Sequence, residues 1–243
     1  RSRSKLESLR AKLGAGAKDL PLIVADAFSE PDLLSLCEQT RLVISTVGPY
    51  ALYGEALVKA CASTGTDYVD LTGEAQWVKK MIDLYEPRAK ETGARIVPSC
   101  GFDSIPSDMG VWYLQQRARE RLGQTCNRVA MRVKAAKGGA SGGTIASMLH
   151  IVEQASKDPA LRRELADPYS LCPSGTPRHP QQRSIQTAQK DETAGTWVAP
   201  FVMAAINERV VHRSNALAGN AYGSGFTYDE AVRTGTGLKG RLT

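Results

Sequence analysis

The 243-residue sequence has little of what builds metal centres or disulfide frameworks. Its five cysteines, Cys37, Cys61, Cys100, Cys126 and Cys172, are odd in number and contain no CxxC pair. A disulfide scaffold needs an even, closely patterned set, so free thiols in a reducing compartment are expected. The three histidines, His150, His179 and His212, stand apart, and no metal site is expected. No apolar run approaches the ~18 residues that a membrane-spanning helix needs. No charged segment followed by an apolar core opens the sequence, so a cytoplasmic location is expected. Hydrophobic residues make up 42% and charged residues 23%, ordinary values for a folded domain. This composition excludes a disordered tail or a collagen-like fibre.

A large charge of one sign is also missing. Lys plus Arg is 31 and Asp plus Glu is 25, a net +6. Arg1, Arg3, Lys5, Arg10, Lys12 and Lys18 face only Glu7 near the start, and the signs mix thereafter. A nucleic-acid binder concentrates its charge in a stripe. No nucleic acid is therefore expected, although a local site for a phosphate-bearing small molecule fits.

What is present is a rhythm. Apolar runs at 20–26, 41–48, 67–73 and 94–101 alternate with helical spacing at 31–40, 53–64, 75–92 and 107–122. Gly65, Gly93 and Gly123 close the last three of these helices. Strands alternating with long helices predict a parallel sheet covered on both faces, a doubly wound α/β fold. Ligands in such sheets bind beyond the carboxyl ends of the strands. Those ends are Asp26, Thr46–Tyr50, Leu71–Glu74 and Ser99–Ser104. After Gly123 the pattern changes. A period-two strand is expected at 127–136, a helix at 144–156, a long loop or lid at 167–196, a helix at 198–216 and a strand at 226–232. These make a second, mixed α/β part.

The strand–GxGxxG–helix opening of a dinucleotide-binding sheet is absent. Gly14-Ala15-Gly16 follows a helical stretch and reads as a loop. The 138–143 run (GGASGG) lacks the lysine of a phosphate loop and reads as a flexible corner, or as amides that meet an anion. Asp26 either caps the following helix or accepts from a cofactor's adenine or ribose. Thr46, Val47, Gly48 and Pro49 form either a tight turn or a flat backbone against a cofactor ring. The 98–108 segment carries Cys100, Asp103, Ser104, Ser107 and Asp108 where a strand gives way to a helix, as caps or as an anion site.

Two blocks, STVGPYALYGEALVKACASTGTDYVDLTGE at 45–74 and IVPSCGFDSIPSDMG at 96–110, resemble the saccharopine dehydrogenase-like oxidoreductases. The nearest branch is that of the trans-acting enoyl reductases. SGGTIASML at 141–149 and WVAPFVMAAINERVVHRSNAL at 197–217 agree. The resemblance implies a Rossmann-like domain over 1–124, incomplete at its N-terminus, and a substrate or dimerisation part over 125–243. It also implies that the first βαβ unit precedes Arg1, so this chain alone is expected to be inactive, to bind NADPH poorly and to leave a sheet edge exposed.

The implied activity is NADP-dependent, with NAD the lesser alternative, and reduces a carbon–carbon double bond in an acyl or lipid-linked substrate. Saccharopine-type amino-acid dehydrogenation and a non-catalytic scaffold at a lipid surface are the alternatives. Arg1 and Arg3, flanking Ser2, are candidates for the 2′-phosphate. Thr46, Val47, Gly48 and Pro49, then Thr72, Gly73 and Glu74, with Cys100 and Gly101, would line the cofactor. Asp103 and Tyr50 are candidates for proton transfer or substrate orientation. The apolar stretch at 198–206 is either a core helix or the floor of an acyl pocket. A homodimer and a peripheral lipid contact complete the expectations.

Overall fold

The computed structural model describes residues 2–135, 137, 142–177 and 180–242. The chain forms two compact units, Arg1–Asp70 with Lys80–Pro98, and Leu71–Lys79 with Ser99–Thr243. The division expected at 124/125 falls inside the second unit.

In the first unit, α1 (Arg3–Lys12) buries no residue. It is held by its cap, Ser2, which accepts from the Lys5 amide, and by basic Arg10 and Lys12 in its last turn. Gly14-Ala15-Gly16 leads into a short 3₁₀ turn at Ala15–Ala17, a connection as expected.

The 20–26 run is not a strand, contrary to expectation. Leu20, Ile23 and Val24 are exposed, and no described strand pairs with the segment. An apolar run becomes a strand only where a ladder partner takes up its amides.

Helix α2 (Glu30–Glu38) follows, with Pro31 in its first turn and Ser29 as its cap. Next come β1 (Leu42–Ser45), α3 (Tyr50–Tyr53), α4 (Glu55–Thr64), β2 (Asp67–Asp70), α5 (Ala75–Thr92) and β3 (Ile96–Val97). The strands are parallel in the order β1-β2-β3, with Ser45 opposite Asp70 and Val69 opposite Val97. Parallel neighbours need crossovers, which the helices supply. Gly65 ends α4 at φ 79°, where an added Cβ would also stand 3.0 Å from the Thr92 carbonyl oxygen. Leu33 and Cys37 of α2 and Val58, Ala60, Cys61 and Ala62 of α4 are buried. The Cys37 and Cys61 sulfurs are 3.6 Å apart, both as free thiols. Strand β1 is a sheet edge, with Ile44 69% exposed.

The second unit holds α6 (Ile105–Leu122), β4 (Arg128–Val133), α7 (Gly142–Lys157), α8 (Pro159–Ala166), β5 (Gln189–Asp191), β6 (Thr196–Pro200), α9 (Ala204–Leu217), β7 (Thr227–Gly235) and α10 (Gly237–Leu242). Its sheet order is β4-β7-β6-β5, with β4 and β7 parallel and the other pairs antiparallel. Val111, Val211, Tyr222, Phe226 and Tyr228 form the core between α6, α9 and the sheet. Arg132 links Asp191 of β5 and Asp229 of β7, at 2.6 Å to each.

Two further expectations are corrected here. The helix expected over 198–216 begins only at Ala204, and 196–200 is a strand. Pro200 would sit in the first turn of such a helix, where proline is tolerated, so it does not exclude one. Thr196-Trp197-Val198 suits a pleated, half-buried surface, and β6 pairs with strands on both sides. The 198–206 stretch is thus not a single core helix. Val198 is buried in β6, and Val202 is 67% exposed. The 167–196 stretch is anchored rather than free, because Tyr169 and Leu171 are buried and β5 lies within it. Of the 138–143 run, residues 138–141 lie outside the described residues and the last two glycines open α7.

Candidate functional site

In the first unit the carboxyl ends of β1 and β2 carry Ser45 and Asp70, side by side in the ladder. The chain leaves β1 through exposed Thr46 and Val47, then turns at a cis Gly48–Pro49 bond. A Cβ on Gly48 would stand 3.4 Å from the Tyr50 ring, so glycine keeps this turn close to that ring. Tyr50 is buried and donates its hydroxyl to the Ser45 carbonyl at 3.0 Å. That bond fixes the turn and engages the hydroxyl proposed for proton transfer. Tyr68 donates to Asp70 at 2.9 Å, and burial with that carboxylate holds its hydroxyl far above the usual range. Sequence reasoning passed over Tyr68 and Asp70. Their signal was an acidic residue closing an otherwise apolar strand.

Elsewhere in this unit the candidates have local roles. Ser2 caps α1. Exposed Arg3 pairs with Glu7 at 3.2 Å. Arg1 lies outside the described residues. Asp26 does not cap α2. Its carboxylate accepts from the Phe28 amide at 3.0 Å, its own amide donates to Asp32, and Ser29 supplies the cap. A residue three positions before a cap is too early to reach the first free amides of the helix.

The chain crosses into the second unit twice, after Asp70 and after Pro98, each time just past a strand of the parallel sheet. The two entry loops are tied together. Ser99, in a left-handed conformation at φ 60°, donates its hydroxyl to the Thr72 carbonyl at 2.9 Å. The Glu74 amide donates to the Thr72 hydroxyl at 3.1 Å. Glu74 is buried, and its carboxylate accepts from Ser147 of α7 at 2.7 Å. A Cβ on Gly101 would lie 2.9 Å from the Leu71 Cβ and 2.5 Å from an Asp103 carboxylate oxygen. Only glycine allows these loops to approach so closely. Gly73 is exposed, and Cys100 is half-buried.

Asp103 has an exposed side chain, while its carbonyl accepts from the Asn207 amide of α9 at 2.8 Å. The same amide nitrogen reaches Ser107 at 3.2 Å and Glu230 at 3.0 Å. Glu230 also accepts from Tyr228. All four of these partners, Ser107, Asn207, Tyr228 and Glu230, are buried. Asp108 is raised by burial and accepts from Ser214 at 3.0 Å. The structure therefore joins Thr72, Glu74, Ser99, Gly101 and Asp103 into one braced loop pair. Sequence reasoning missed the braces, Ser147, Asn207 and Glu230. Only Glu230, a charge inside a strand, left a visible signal.

A family comparison bears on these loops. Residues 1–97 match the saccharopine dehydrogenase NADP binding domain. The first two strands of the parallel sheet, the third, and the Thr46–Tyr50 and Thr72–Glu74 loops all lie inside that NADP-binding match. Over 97% of its length the chain is 45% identical to a Mycobacterium tuberculosis (strain ATCC 25618 / H37Rv) protein provisionally described as a trans-acting enoyl reductase. It is 41% identical, over the same share, to the trans-acting enoyl reductase of Mycobacterium leprae (strain TN). The chain spans 58% of each of these relatives. No solved structure matches it significantly.

The residues present fit part of a nicotinamide dinucleotide. The glycine turn beside Tyr50 and exposed Thr46 and Val47 stand at a strand's carboxyl end, where such sheets take their ligands. Within the NADP-binding match, the described residues 2–97 hold no glycine-rich strand–turn–helix to cradle a pyrophosphate. No helix among them is long and apolar enough to cross a membrane.

Proposed function

We propose that this chain belongs to an NADP(H)-dependent oxidoreductase that reduces the carbon–carbon double bond of an acyl substrate. The observation that carries the proposal is the likeness to trans-acting enoyl reductases along 97% of the chain, together with the NADP-binding match. The cofactor, when bound, supplies the hydride. Thr46, Val47, Gly48 and Pro49 are the proposed lining of its ribose and nicotinamide side, and Thr72, Gly73, Glu74, Cys100 and Gly101 are further candidates for cofactor contact. Arg1 and Arg3 hold the 2′-phosphate, with Ser2 setting the start of α1. Asp26 is left to its turn.

The residues assign the proton work differently. Tyr50 is a positioning residue, because its hydroxyl holds the β1 exit turn. Asp103 is exposed and its main chain is anchored by Asn207, so it is the better placed proton donor or orienting group. The acyl preference has physical support as well. The 46–50 and 99–104 loops contain no Lys or Arg to neutralise a substrate with several carboxylates.

NADPH oxidation by the full-length protein that carries this chain, with two panels, tests the proposal: enoyl thioesters, and imino acids of the saccharopine type. Turnover of the enoyl panel is expected. Turnover of imino acids alone overturns the reading in favour of an amino-acid dehydrogenase, and turnover of neither favours a scaffold.

A further inference from the structure

Two adjacent residues of α9, Glu208 and Arg209, are both buried, at 9% and 4% exposure. Their surroundings differ. The Arg209 guanidinium donates to Ser170 at 3.1 Å and to the carbonyls of Ala205 and Leu165. Among the described residues, no hydrogen bond or ion pair reaches Glu208. Its carboxyl instead lines a cavity of about 330 Å³, together with Leu165, Gln182, Phe201, Ala205 and Arg209. All of these residues belong to the second unit.

A largely buried carboxylate that meets only the cavity, with no hydrogen-bond donor from the described residues, is costly to keep ionised unless a ligand partners it. Burial pushes Glu208 up to about 7. Arg209 opposes the rise, while Glu230 and Asp229 of β7 add to it. The carboxyl is therefore poised between its two forms near neutral pH. We propose that this cavity binds a small organic cation whose ammonium group donates to Glu208.

An ammonium supplies both the missing donors and the missing charge. Arg209 supplies charge nearby but no hydrogen bond to Glu208, because its three nitrogens donate to Ser170, Ala205 and Leu165. Leu165, Phe201 and Ala205 provide apolar wall for a short hydrocarbon part. Gln182 is a fixed wall, since its amide bonds Tyr169, the Phe226 carbonyl and the Tyr228 amide. Arg183 also lines the cavity, but it is exposed and screened by water. The volume suits a small molecule. The inference does not depend on the dinucleotide reading, and its test needs no cofactor.

Hexylammonium, hexanol and hexanoate share one hydrocarbon tail and differ at the head. Calorimetric titration of each into the full chain near pH 8 should show the ammonium binding at least about tenfold more tightly than the alcohol, with hexanoate weakest. Near pH 5.5 the ammonium should weaken by about tenfold or more, because a proton then occupies its place on Glu208. Glu208→Gln should remove the preference for ammonium over alcohol, with circular dichroism confirming the fold. Should that variant not fold, the wild-type head-group and pH comparisons decide. Equal binding of ammonium and alcohol, binding indifferent to pH, or no binding of the ammonium at millimolar concentration overturns the proposal.

Discussion

The side-chain amide of Asn207 donates to the main-chain carbonyl of Asp103 at 2.8 Å, joining residues 104 positions apart. One buried nitrogen thereby holds the 101–107 turn against α9 and β7, because it also reaches Ser107 and Glu230. Replacing Asn207 with Leu leaves Glu230, which is 1% exposed, with a single remaining donor, Tyr228. Breaking a hydrogen bond to a buried charge costs about 1.5–3 kcal/mol, and more when the charge has few other partners. Asn207→Leu should lower the unfolding free energy by at least that amount, read as a lower urea midpoint at unchanged m. Glu230→Gln in the same background should recover part of the loss, since an amide is cheaper to bury than a carboxylate. An unchanged midpoint in Asn207→Leu would show that the network does not carry the turn.

His212 and Glu208 lie on one helix and titrate against each other. Burial lowers His212 from 6.5 to about 4, with the Tyr169 and Phe226 rings on either side. Because the unfolded chain binds this proton first, the histidine's contribution is complete above 6.5 and is lost as pH falls toward 4. Glu208 runs the other way, raised from 4.5 to about 7. Its contribution is complete below 4.5 and is lost as pH rises through 7. Each slope is about 1.4 kcal/mol per pH unit, so the two largely cancel between about pH 4.5 and 6.5. Glu208→Gln should therefore make stability fall faster on acidification in that window than in the wild type. His212→Phe should make it fall as pH rises. Urea midpoints at about pH 5 and 6.5 measure both effects. Wild-type slopes in both variants would remove both shifts.

Gly101→Ala tests the closeness of the entry loops. The Asp103 carboxylate at 2.5 Å is the end of an exposed side chain and can swing away. The Leu71 Cβ at 2.9 Å cannot move without its backbone. Overpacking of this kind costs about 1–3 kcal/mol. Gly73→Ala is the control, because its new Cβ would meet only the Met203 methyl at an ordinary 3.6 Å. The first variant should lose stability and the second should lose little. Similar midpoints for the two would mean that the loops relax freely.

The helices were legible in the sequence wherever a glycine stop and an apolar period coincided. Gly65, Gly93 and Gly123 each take the left-handed conformation that ends the preceding helix. The strand ends at 46–50 and 99–104 were legible because polar residues and glycine close apolar runs there. The 20–26 run failed for a reason that no local pattern contains: a strand requires a neighbour. The 198–216 stretch failed because its continuous apolar content hides the change from a strand paired on both sides to a helix that begins at Ala204. The braces of the loop pair, Ser147 on Glu74 and Asn207 on Asp103, join residues 73 and 104 positions apart. Neither spacing nor composition encodes such a contact.

The proposed preference for NADP over NAD rests on Arg1 and Arg3, and Arg3 has a competitor for its guanidinium. Arg3 pairs with Glu7, one turn along α1, with both side chains at least half exposed. Such a pair contributes about 0–1 kcal/mol, less than a charge-assisted contact to phosphate. A 2′-phosphate should therefore take Arg3 from Glu7. Replacing both arginines with Ala should weaken NADPH binding by about tenfold or more and leave NADH binding nearly unchanged. Glu7→Gln separates recognition from a mere surface effect. It removes the competitor and one nearby negative charge, so NADPH should bind equally well or more tightly, with the gain shrinking at high salt. Fluorescence titration of both cofactors against the full-length wild type and the two variants measures this. Equal losses of NADPH and NADH in the double variant would mean that the arginines shape the α1 surface without reading the phosphate. Weaker NADPH binding in Glu7→Gln would mean that Glu7 positions Arg3 instead of competing for it.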